Sequence, residues 1–417
     1  MVTALERYRE SVQRRRRRAE RANYRLDIQG LRAVAVLAVI ADHLWGWPAG
    51  GFVGVDVFFV LAGFFITAKL LRTAEDTGTV PLRKFYGERL RRIVPAAAVV
   101  LALTVAACVF VLPPAGARAA GIDALFSLAF LANWHFAAQG ADWSAATDSA
   151  SPLLHYWPLS IEGQFYAVWP VLLLVISVIA VRKAWSHARW LRLTGAVIAV
   201  VTAASLGWAF YETASAPNWA FFSTAARLWE LAAGALLATA LGPLGRIPFA
   251  VKPALSWLGV ALIGASFILI DAHAGFPAPW ALLPVAGTLL VLAAGVDGEP
   301  LFQGLLGNRV STYLGDLSYS LYLVHWPVIV LLATIMATSA HYYLAVLALT
   351  FGLALALHHL VEAPLRDASR ERIRQARHDL RHGLLQTERS TKVAVVAALV
   401  LQAVSLITYA LRPDAYL

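Results

Sequence analysis

Charged residues and cysteines are scarce in this chain of 417 residues. Only 14% of the residues are Asp, Glu, Lys or Arg, whereas 59% are hydrophobic, and Cys108 is the single cysteine. One cysteine cannot form an internal disulfide, and no Cys/His spacing typical of a metal site is present, so we expect no bound metal. A soluble domain of this length carries more charge than this. The composition therefore indicates a helical membrane protein.

Long apolar runs recur along the chain and predict membrane-spanning helices. The predicted fold is all-α, a polytopic bundle with a ten-helix core and an eleventh C-terminal span. The predicted spans lie at about 31–47, 52–71, 92–112, 158–181, 192–211, 220–241, 255–271, 280–296, 313–335, 342–361 and 392–411. Residues 121–138 are also apolar, and hydropathy alone does not say whether they cross.

The distribution of basic residues decides the topology. If 121–138 does not cross and the N-terminus is inside, the arginine and lysine clusters between spans face inward and only Arg118 and Arg412 face outward. If 121–138 did cross, the basic cluster at 366–392 would face outward. We therefore expect 121–138 to be re-entrant or to lie on the outer surface, with the N-terminus in and the C-terminus out. The net charge of +10 is then a feature of topology, and we expect no nucleic-acid partner.

This topology divides the chain into four segments. Residues 1–25 form a basic cytosolic amphipathic segment, and 26–366 form the transmembrane domain. Residues 367–391 form a cytosolic amphipathic linker helix, and 392–417 add a span and an extracytoplasmic tail. The polar stretch 142–152 is predicted to be a lid or an acceptor-binding loop on the outer side.

Two ionisable residues of the first span, Arg32 and His43, are separated by ten residues. On a helix this spacing is about three turns, so both side chains point the same way, about 16 Å apart. Ionisable groups inside a membrane helix usually face the protein interior and mark function. The alternative is that Arg32 snorkels to the interface and His43 is a satisfied polar residue in the bundle. Asp42 precedes His43 but lies about 100° away around the helix.

A basic stretch leads into the third span. Arg89, Arg91 and Arg92 lie within four residues, and guanidinium groups suit bidentate recognition of phosphate. The alternative partners are the phosphates of membrane lipids.

Polar residues also enter the fourth and ninth spans. His155, Ser160, Glu162 and Tyr166 occur at the start of the fourth span, where Glu162 either orients a histidine or binds a polar group, or else makes a structural hydrogen bond. In the ninth span the polar stripe at helical spacing consists of Ser318, Tyr322 and His325.

Three further charges occur in the second and sixth spans. Asp56 is either a helix-start acid or part of a site. Arg227 and Glu230 are three residues apart, which favours an intrahelical ion pair that holds the bundle. Gly54, Ala62 and Gly63 permit close helix contact in the second span.

Taken together, these segments resemble the acyltransferase-3 family of bacterial membrane proteins over about 26–366. The resemblance rests on the ordered set LDIQGLRAVAVLAVIADH, FFVLAGFFI, ERLRRIVP, HYWPLSIEGQFY, RLWEL and LGDLSYSLYLVHWP. Gln29 and Pro158 depart from the family pattern, which has an acidic-Gly turn and a serine there.

The resemblance implies a multi-pass protein of the bacterial cytoplasmic membrane that moves an acyl group from cytosolic acyl-CoA to a hydroxyl of an extracytoplasmic glycan or glycolipid. Acyl-CoA is then a donor substrate, and no cofactor is permanently bound. The residues expected to bind acyl-CoA are Arg32, Arg89, Arg91 and Arg92. His43 is the expected general base, with Asp42 or Glu162 fixing its tautomer. The residues expected to bind the acceptor or shape the site are Asp56, His155, Ser160, Tyr166, Arg227, Glu230, Tyr322 and His325.

Some members of the family carry an extracytoplasmic SGNH-type domain after an extra span. The eleventh span fits that arrangement, but the Gly-Asp-Ser nucleophile stretch is absent from this sequence. We expect either a shortened chain or a separate partner.

Three alternatives stay open. An acyl-histidine intermediate would replace direct attack by the acceptor. A transporter or flippase of an acylated or glycosylated lipid would use the same polar residues to line a path, although no inverted repeat is evident. A membrane sensor or scaffold explains the apolar spans but not the alignment of arginines with His43.

Overall fold

The computed structural model describes residues 25–141, 150–271, 275–366 and 389–410, and within these ranges every regular element is helical. Three predicted segments lie mostly outside the described residues: the basic segment 1–25, the polar loop 142–152 and the linker helix 367–391.

The first half of the chain forms seven helices with short connections. Their bounds are α1 Leu26–Trp45, α2 Gly54–Thr77, α3 Leu82–Val111, α4 Pro114–Leu128, α5 Ala132–Ala138, α6 Trp157–Arg182 and α7 His187–Ser215. Helix α3 begins ten residues before the predicted third span, so the basic stretch with Arg89, Arg91 and Arg92 lies on the helix itself.

The second half contains more short helices. Their bounds are α8 Pro217–Phe222, α9 Thr224–Thr239, α10 Leu241–Gly245, α11 Lys252–Leu269, α12 Leu282–Ala294, α13 Gly304–Gly307, α14 Arg309–Ala333, α15 Ala340–Leu357, a π-helical turn His358–Glu362, α16 Ala363–Arg366 and α17 Arg389–Ala410.

Eight of the described helices are long and apolar enough to cross a membrane, and two shorter apolar segments, Leu282–Ala294 and Thr391–Ile407, accompany them. A polytopic helical membrane bundle is therefore confirmed. The predicted span at 220–241 is not one continuous helix. It is interrupted at Ser223, whose hydroxyl accepts a hydrogen bond from the backbone N–H of Ala226 and so caps the start of α9.

The apolar run 121–138 lies on two short helices, α4 and α5. They are separated at 129–131, where Phe130 adopts a left-handed φ of 58°. Neither helix reaches the about 20 residues needed to cross a membrane alone, and neither is among the eight candidate spans.

Glycines allow the central helices to touch through their backbones, as predicted for the second span. A Cβ atom at Gly63 of α2 would lie 1.8 Å from the carbonyl oxygen of Leu231 on α9, and one at Gly234 of α9 would lie 2.0 Å from the carbonyl oxygen of Val60. Gly54 makes a similar approach to Ala35 of α1. Small residues at such crossings are the usual means of packing helices in lipid.

We expect Gly63→Ala to lower the Tm of the detergent-solubilised protein by about 5 °C or more, because the added methyl group can be accommodated only by moving the backbone of α9. Gly264→Ala is the matched control, since a Cβ there meets no atom within 4 Å. Equal melting temperatures for the two variants would contradict this packing.

Candidate active site

A large cavity lies at the arginine-rich end of the bundle. Its volume is about 1280 Å³, and its lining residues come mainly from α1, α2, α3, α6 and α14 and from the loop after α12. The basic lining residues are Arg25, Arg32, Lys69, Arg72, Arg89, Arg91, Arg92 and Arg366, and the acidic ones are Asp76, Glu88, Glu162, Asp297 and Glu299. Basic side chains outnumber acidic ones, so the cavity favours an anion.

All four arginines predicted to bind acyl-CoA line this cavity. Arg32 donates a hydrogen bond to Oε1 of Gln29 at 3.0 Å. Arg89 lies over the ring of Tyr166, 5.0 Å from its centroid, and Arg91 donates from Nε to the carbonyl of Gly87 at 2.9 Å. The structure therefore brings together arginines that are separated by almost sixty residues in the sequence.

Glu162 and Tyr166 also line the cavity, one turn apart on α6. The hydroxyl of Tyr166 donates a hydrogen bond to the carboxylate of Glu162. Arg32, Arg89 and Arg92 are close enough to interact electrostatically with this carboxylate. Glu162 therefore belongs to the arginine-rich wall.

His43 lies near the opposite end of α1, against α14. Its Nδ1 is 3.1 Å from Nε2 of His325, and the two rings are nearly parallel with centroids 5.3 Å apart. The ring of Trp326 is inclined by 61° to that of His43, with centroids 4.7 Å apart. His43 is half-buried, and it is not among the described residues that line the cavity.

The expectation that Asp42 or Glu162 fixes the tautomer of His43 differs from the structure. His325 occupies the Nδ1 side of His43. Asp42 points to another face of α1, where it accepts a hydrogen bond from the backbone N–H of Phe52. Glu162 bonds Tyr166 instead.

Tyr322 connects the cavity with the histidines. It lines the cavity, its hydroxyl donates to the carbonyl oxygen of His155 at 2.7 Å, and its ring lies 5.5 Å from that of His325. His155 is buried with its ring 5.5 Å from His325. The predicted residues Tyr322, His155 and His325 thus form one cluster with His43.

In the described part of the chain, Ser160 forms hydrogen bonds with backbone groups. Its hydroxyl accepts a hydrogen bond from the backbone N–H of Ala132 at 3.1 Å and donates to the carbonyl of Tyr156 at 3.3 Å. It therefore joins α5 to α6 and is not among the described residues that line the cavity.

Asp56, Arg227 and Glu230 form a buried ionic cluster. Arg227 donates to Asp56 at 3.1 Å and pairs with Glu230 at 2.8 Å, and all three side chains are almost completely buried. Four aromatic rings enclose the guanidinium at 4.9 to 5.7 Å, namely Phe59, Trp157, Phe221 and Phe276. The predicted intrahelical pair is present and extends to Asp56. Of these residues only Phe59 is among those described as lining the cavity. The ionic cluster therefore lies outside the cavity lining and contacts it through Phe59.

We expect Arg227→Met to lower the Tm by about 5 °C or more, because two buried carboxylates would lose their counter-ion. The triple variant Asp56→Asn, Arg227→Met, Glu230→Gln removes every charge and is expected to recover much of the loss. If the single variant melted at the wild-type temperature, the ionic cluster would not stabilise the bundle.

Sequence reasoning missed a polar network that spans the π-helical turn from His358 to Glu362. Oε2 of Glu362 accepts a hydrogen bond from the hydroxyl of Ser320 at 2.7 Å and lies 3.1 Å from Nδ1 of His358. The four-residue spacing between His358 and Glu362 was the available signal in the sequence. Arg32 and Arg92 interact electrostatically with Glu362, so this network borders the arginine group.

The family model described as an acyltransferase domain matches residues 25–359. Peptidoglycan O-acetyltransferase OatA of Listeria monocytogenes is 31% identical over 358 residues, which cover 82% of this chain and 55% of that protein.

Two other relatives have provisional names. Peptidoglycan O-acetyltransferase YrhL of Bacillus subtilis is 32% identical over 354 residues, covering 81% of this chain and 54% of the relative. O-acetyltransferase SAS0844 of Staphylococcus aureus is 30% identical over 321 residues, covering 74% and 51%.

The chain spans about half the length of the curated relatives it matches. No solved structure matches it at a significant level. The family model nevertheless covers the helices that form both the cavity and the histidine cluster, and the chain belongs to the acyltransferase-3 family.

Proposed function

We propose that this membrane O-acyltransferase moves an acyl group from cytosolic acyl-CoA to a hydroxyl of an extracytoplasmic glycan or glycolipid, with His43 as general base. One observation carries the proposal: the cavity lined by Arg32, Arg89, Arg91 and Arg92 is also lined by Tyr322, which contacts the cluster that holds His43. The arginine-rich loops are expected to face the cytosol by the positive-inside rule, in a bacterial cytoplasmic membrane.

The chemistry of the cavity suits the donor. Coenzyme A carries several phosphate charges, and guanidinium groups bind phosphate oxygens through paired hydrogen bonds. The thioester of acyl-CoA is at the end of a long uncharged arm, and the lining of the cavity also includes apolar residues such as Phe59 and Leu159. We expect the phosphates to bind among the arginines and the arm to point toward Tyr322.

The proposed reaction is direct transfer. Nε2 of neutral His43 accepts the proton of the acceptor hydroxyl as the hydroxyl oxygen attacks the carbonyl carbon of the thioester. The new C–O bond forms, the C–S bond breaks, and the leaving thiolate takes the proton from His43. Because His43 does not line the cavity, we expect the thioester to reach it past the side chain of Tyr322.

The names of two relatives suggest the acceptor. Both are named for O-acetylation of peptidoglycan, so we propose an acetyl donor and a sugar hydroxyl of the cell wall as the first pair to test. The relatives are longer than this chain, and an SGNH-type domain or a separate protein is a proposed partner on the outer side.

The test uses purified protein in lipid nanodiscs with radiolabelled acetyl-, succinyl- or palmitoyl-CoA and cell-envelope extract, alongside His43→Ala. Transfer of label to a glycan or lipid by the wild type alone would support acyl transfer and identify the donor. In parallel, a rise in Tm on adding CoA tests donor binding. If the protein neither transferred label nor bound CoA, the proposal would be overturned in favour of a transporter.

A further inference from the structure

His325 is the residue that meets His43 most directly. It lies on α14, two turns from the start of the polar stripe, and its side chain is completely buried. Its Nε2 is 3.1 Å from Nδ1 of His43. Its other ring nitrogen, Nδ1, faces the carbonyl oxygens of Tyr322 at 2.7 Å and Leu321 at 3.2 Å. The two nitrogens of His325 therefore face two different kinds of partner.

The two carbonyl oxygens determine which ring nitrogen of His325 carries the hydrogen. A backbone carbonyl can only accept a hydrogen bond, so Nδ1 of His325 must carry the hydrogen. In a neutral imidazole only one nitrogen is protonated, so Nε2 of His325 has a free lone pair. This nitrogen can then only accept a hydrogen bond, and its partner is Nδ1 of His43.

We infer that His325 is a positioning residue that fixes the tautomer of His43, with the hydrogen on Nδ1 and the lone pair on Nε2. The inference rests on the proposed function, because it identifies Nε2 of His43 as the atom that removes the proton from the acceptor hydroxyl. The carbonyl of Tyr322 thus sets the protonation of His43 through one intervening ring.

A protonated His325 would reverse this assignment, and its surroundings disfavour the charge. The hydrogen-bond partners of its ring are two carbonyls and His43, and within the described part of the chain no carboxylate bonds to it. Burial of an unpaired cation in such a site is costly. The neutral ring satisfies every contact observed.

The packing of His43 restricts the alternative ring flip. The ring of Trp326 is inclined by 61° to that of His43, with centroids 4.7 Å apart, and its indole N–H donates to the carbonyl oxygen of Ser151 at 2.9 Å. The ring of His325 lies edge to edge with that of His43, with an angle of 11° between the two planes and the 3.1 Å nitrogen–nitrogen contact between their edges. His43 is therefore held on two sides by residues that are adjacent on α14.

The same hydrogen bond assists the reaction. When Nε2 of His43 takes the proton, the ring becomes an imidazolium, and its Nδ1–H continues to donate to Nε2 of His325. No proton has to move between the two rings. The return of the proton from Nε2 to the leaving thiolate restores the starting tautomer.

Three substitutions of His325 separate this role from simple packing. Gln places an amide oxygen near the position of Nε2 and keeps an acceptor for His43. Asn is shorter, so it can keep the bond to the Tyr322 carbonyl but does not reach His43. Leu removes both bonds. Each variant is assayed in nanodiscs for kcat, for the KM of acetyl-CoA and for Tm.

We expect His325→Gln to retain kcat within about tenfold, and His325→Asn and His325→Leu to lose about 100-fold or more, with KM changed by less than about threefold. Wild-type kcat in His325→Asn would overturn the inference. So would a Gln variant that is folded and binds CoA normally but is as inactive as the Leu variant.

A spectroscopic measurement tests the tautomer without relying on turnover. The ¹⁵N chemical shifts of the His43 ring, assigned by difference from His43→Ala, distinguish a hydrogen on Nδ1 from one on Nε2. We expect the Nδ1–H form in the wild type and loss of this preference in His325→Leu. The Nε2–H form in the wild type would refute the inference even if His43 proved essential, whereas full activity of His43→Ala would refute the proposed function itself.

Discussion

His43→Ala is expected to lower kcat for acyl transfer by about 10²- to 10⁴-fold, the usual contribution of a general base. The imidazole of His43 is the one we propose to accept the hydroxyl proton, and its neighbour His325 already donates through Nδ1 to backbone carbonyls. Binding of CoA is expected to change little, because His43 does not line the arginine-rich cavity in the described structure. Radiolabel transfer and CoA-dependent stabilisation measure the two quantities separately.

His187→Ala is the control for this experiment, since His187 is an exposed histidine at the start of α7, with its Nε2 3.7 Å from the carboxylate of Glu75. It is expected to match the wild type. Undiminished transfer by His43→Ala would exclude both the general-base route and an acyl-histidine intermediate. Isolation of an acylated His43 would instead replace the direct route with the covalent one.

The second large effect is expected from the arginines of α3. Replacing Arg89 and Arg92 together by Gln is expected to raise the KM for acyl-CoA, and the Kd for CoA, by about 100-fold or more, because each charge-assisted hydrogen bond contributes about 1.5 to 3 kcal/mol. The effect should shrink at high ionic strength, where the attraction is already screened. Titration of CoA at two salt concentrations measures it.

Arg246→Gln is the matched control. Arg246 is exposed and lies on a loop predicted to face the same side of the membrane, but it is not among the described cavity residues. We expect it to bind CoA as the wild type does. Equal weakening by Arg246→Gln would mean that net charge, and not the cavity, attracts the donor.

The sequence predicted much of the helical architecture and the arginine group for identifiable physical reasons. Apolar runs of membrane length determine where helices form, and clustered guanidinium groups on one helix face are visible in the pattern around Arg89. The motifs also occur in the order that is typical of the family, and the resemblance rests on that order. The interruption at Ser223 was missed because a cap inside an apolar run leaves the hydropathy almost unchanged.

The partner of His43 could not be predicted in the same way. Helical periodicity says which residues share a face of one helix, but not which other helix that face meets. His43 and His325 are 282 residues apart, and only the packing of α14 on α1 brings them together. The same limitation hid the contact between Ser320 and Glu362 and directed attention to Asp42, which is adjacent to His43 in sequence but on another face.

Transfer across a sealed membrane tests the central claim most directly. Wild-type protein is placed in proteoliposomes of known orientation, with radiolabelled acetyl-CoA only on the side of the arginine-rich cavity and cell-wall glycan only on the other. We predict that labelled glycan accumulates on the far side, and that His43→Ala abolishes it while CoA binding remains. Labelled glycan formed only when donor and acceptor share one side would contradict a route through the protein.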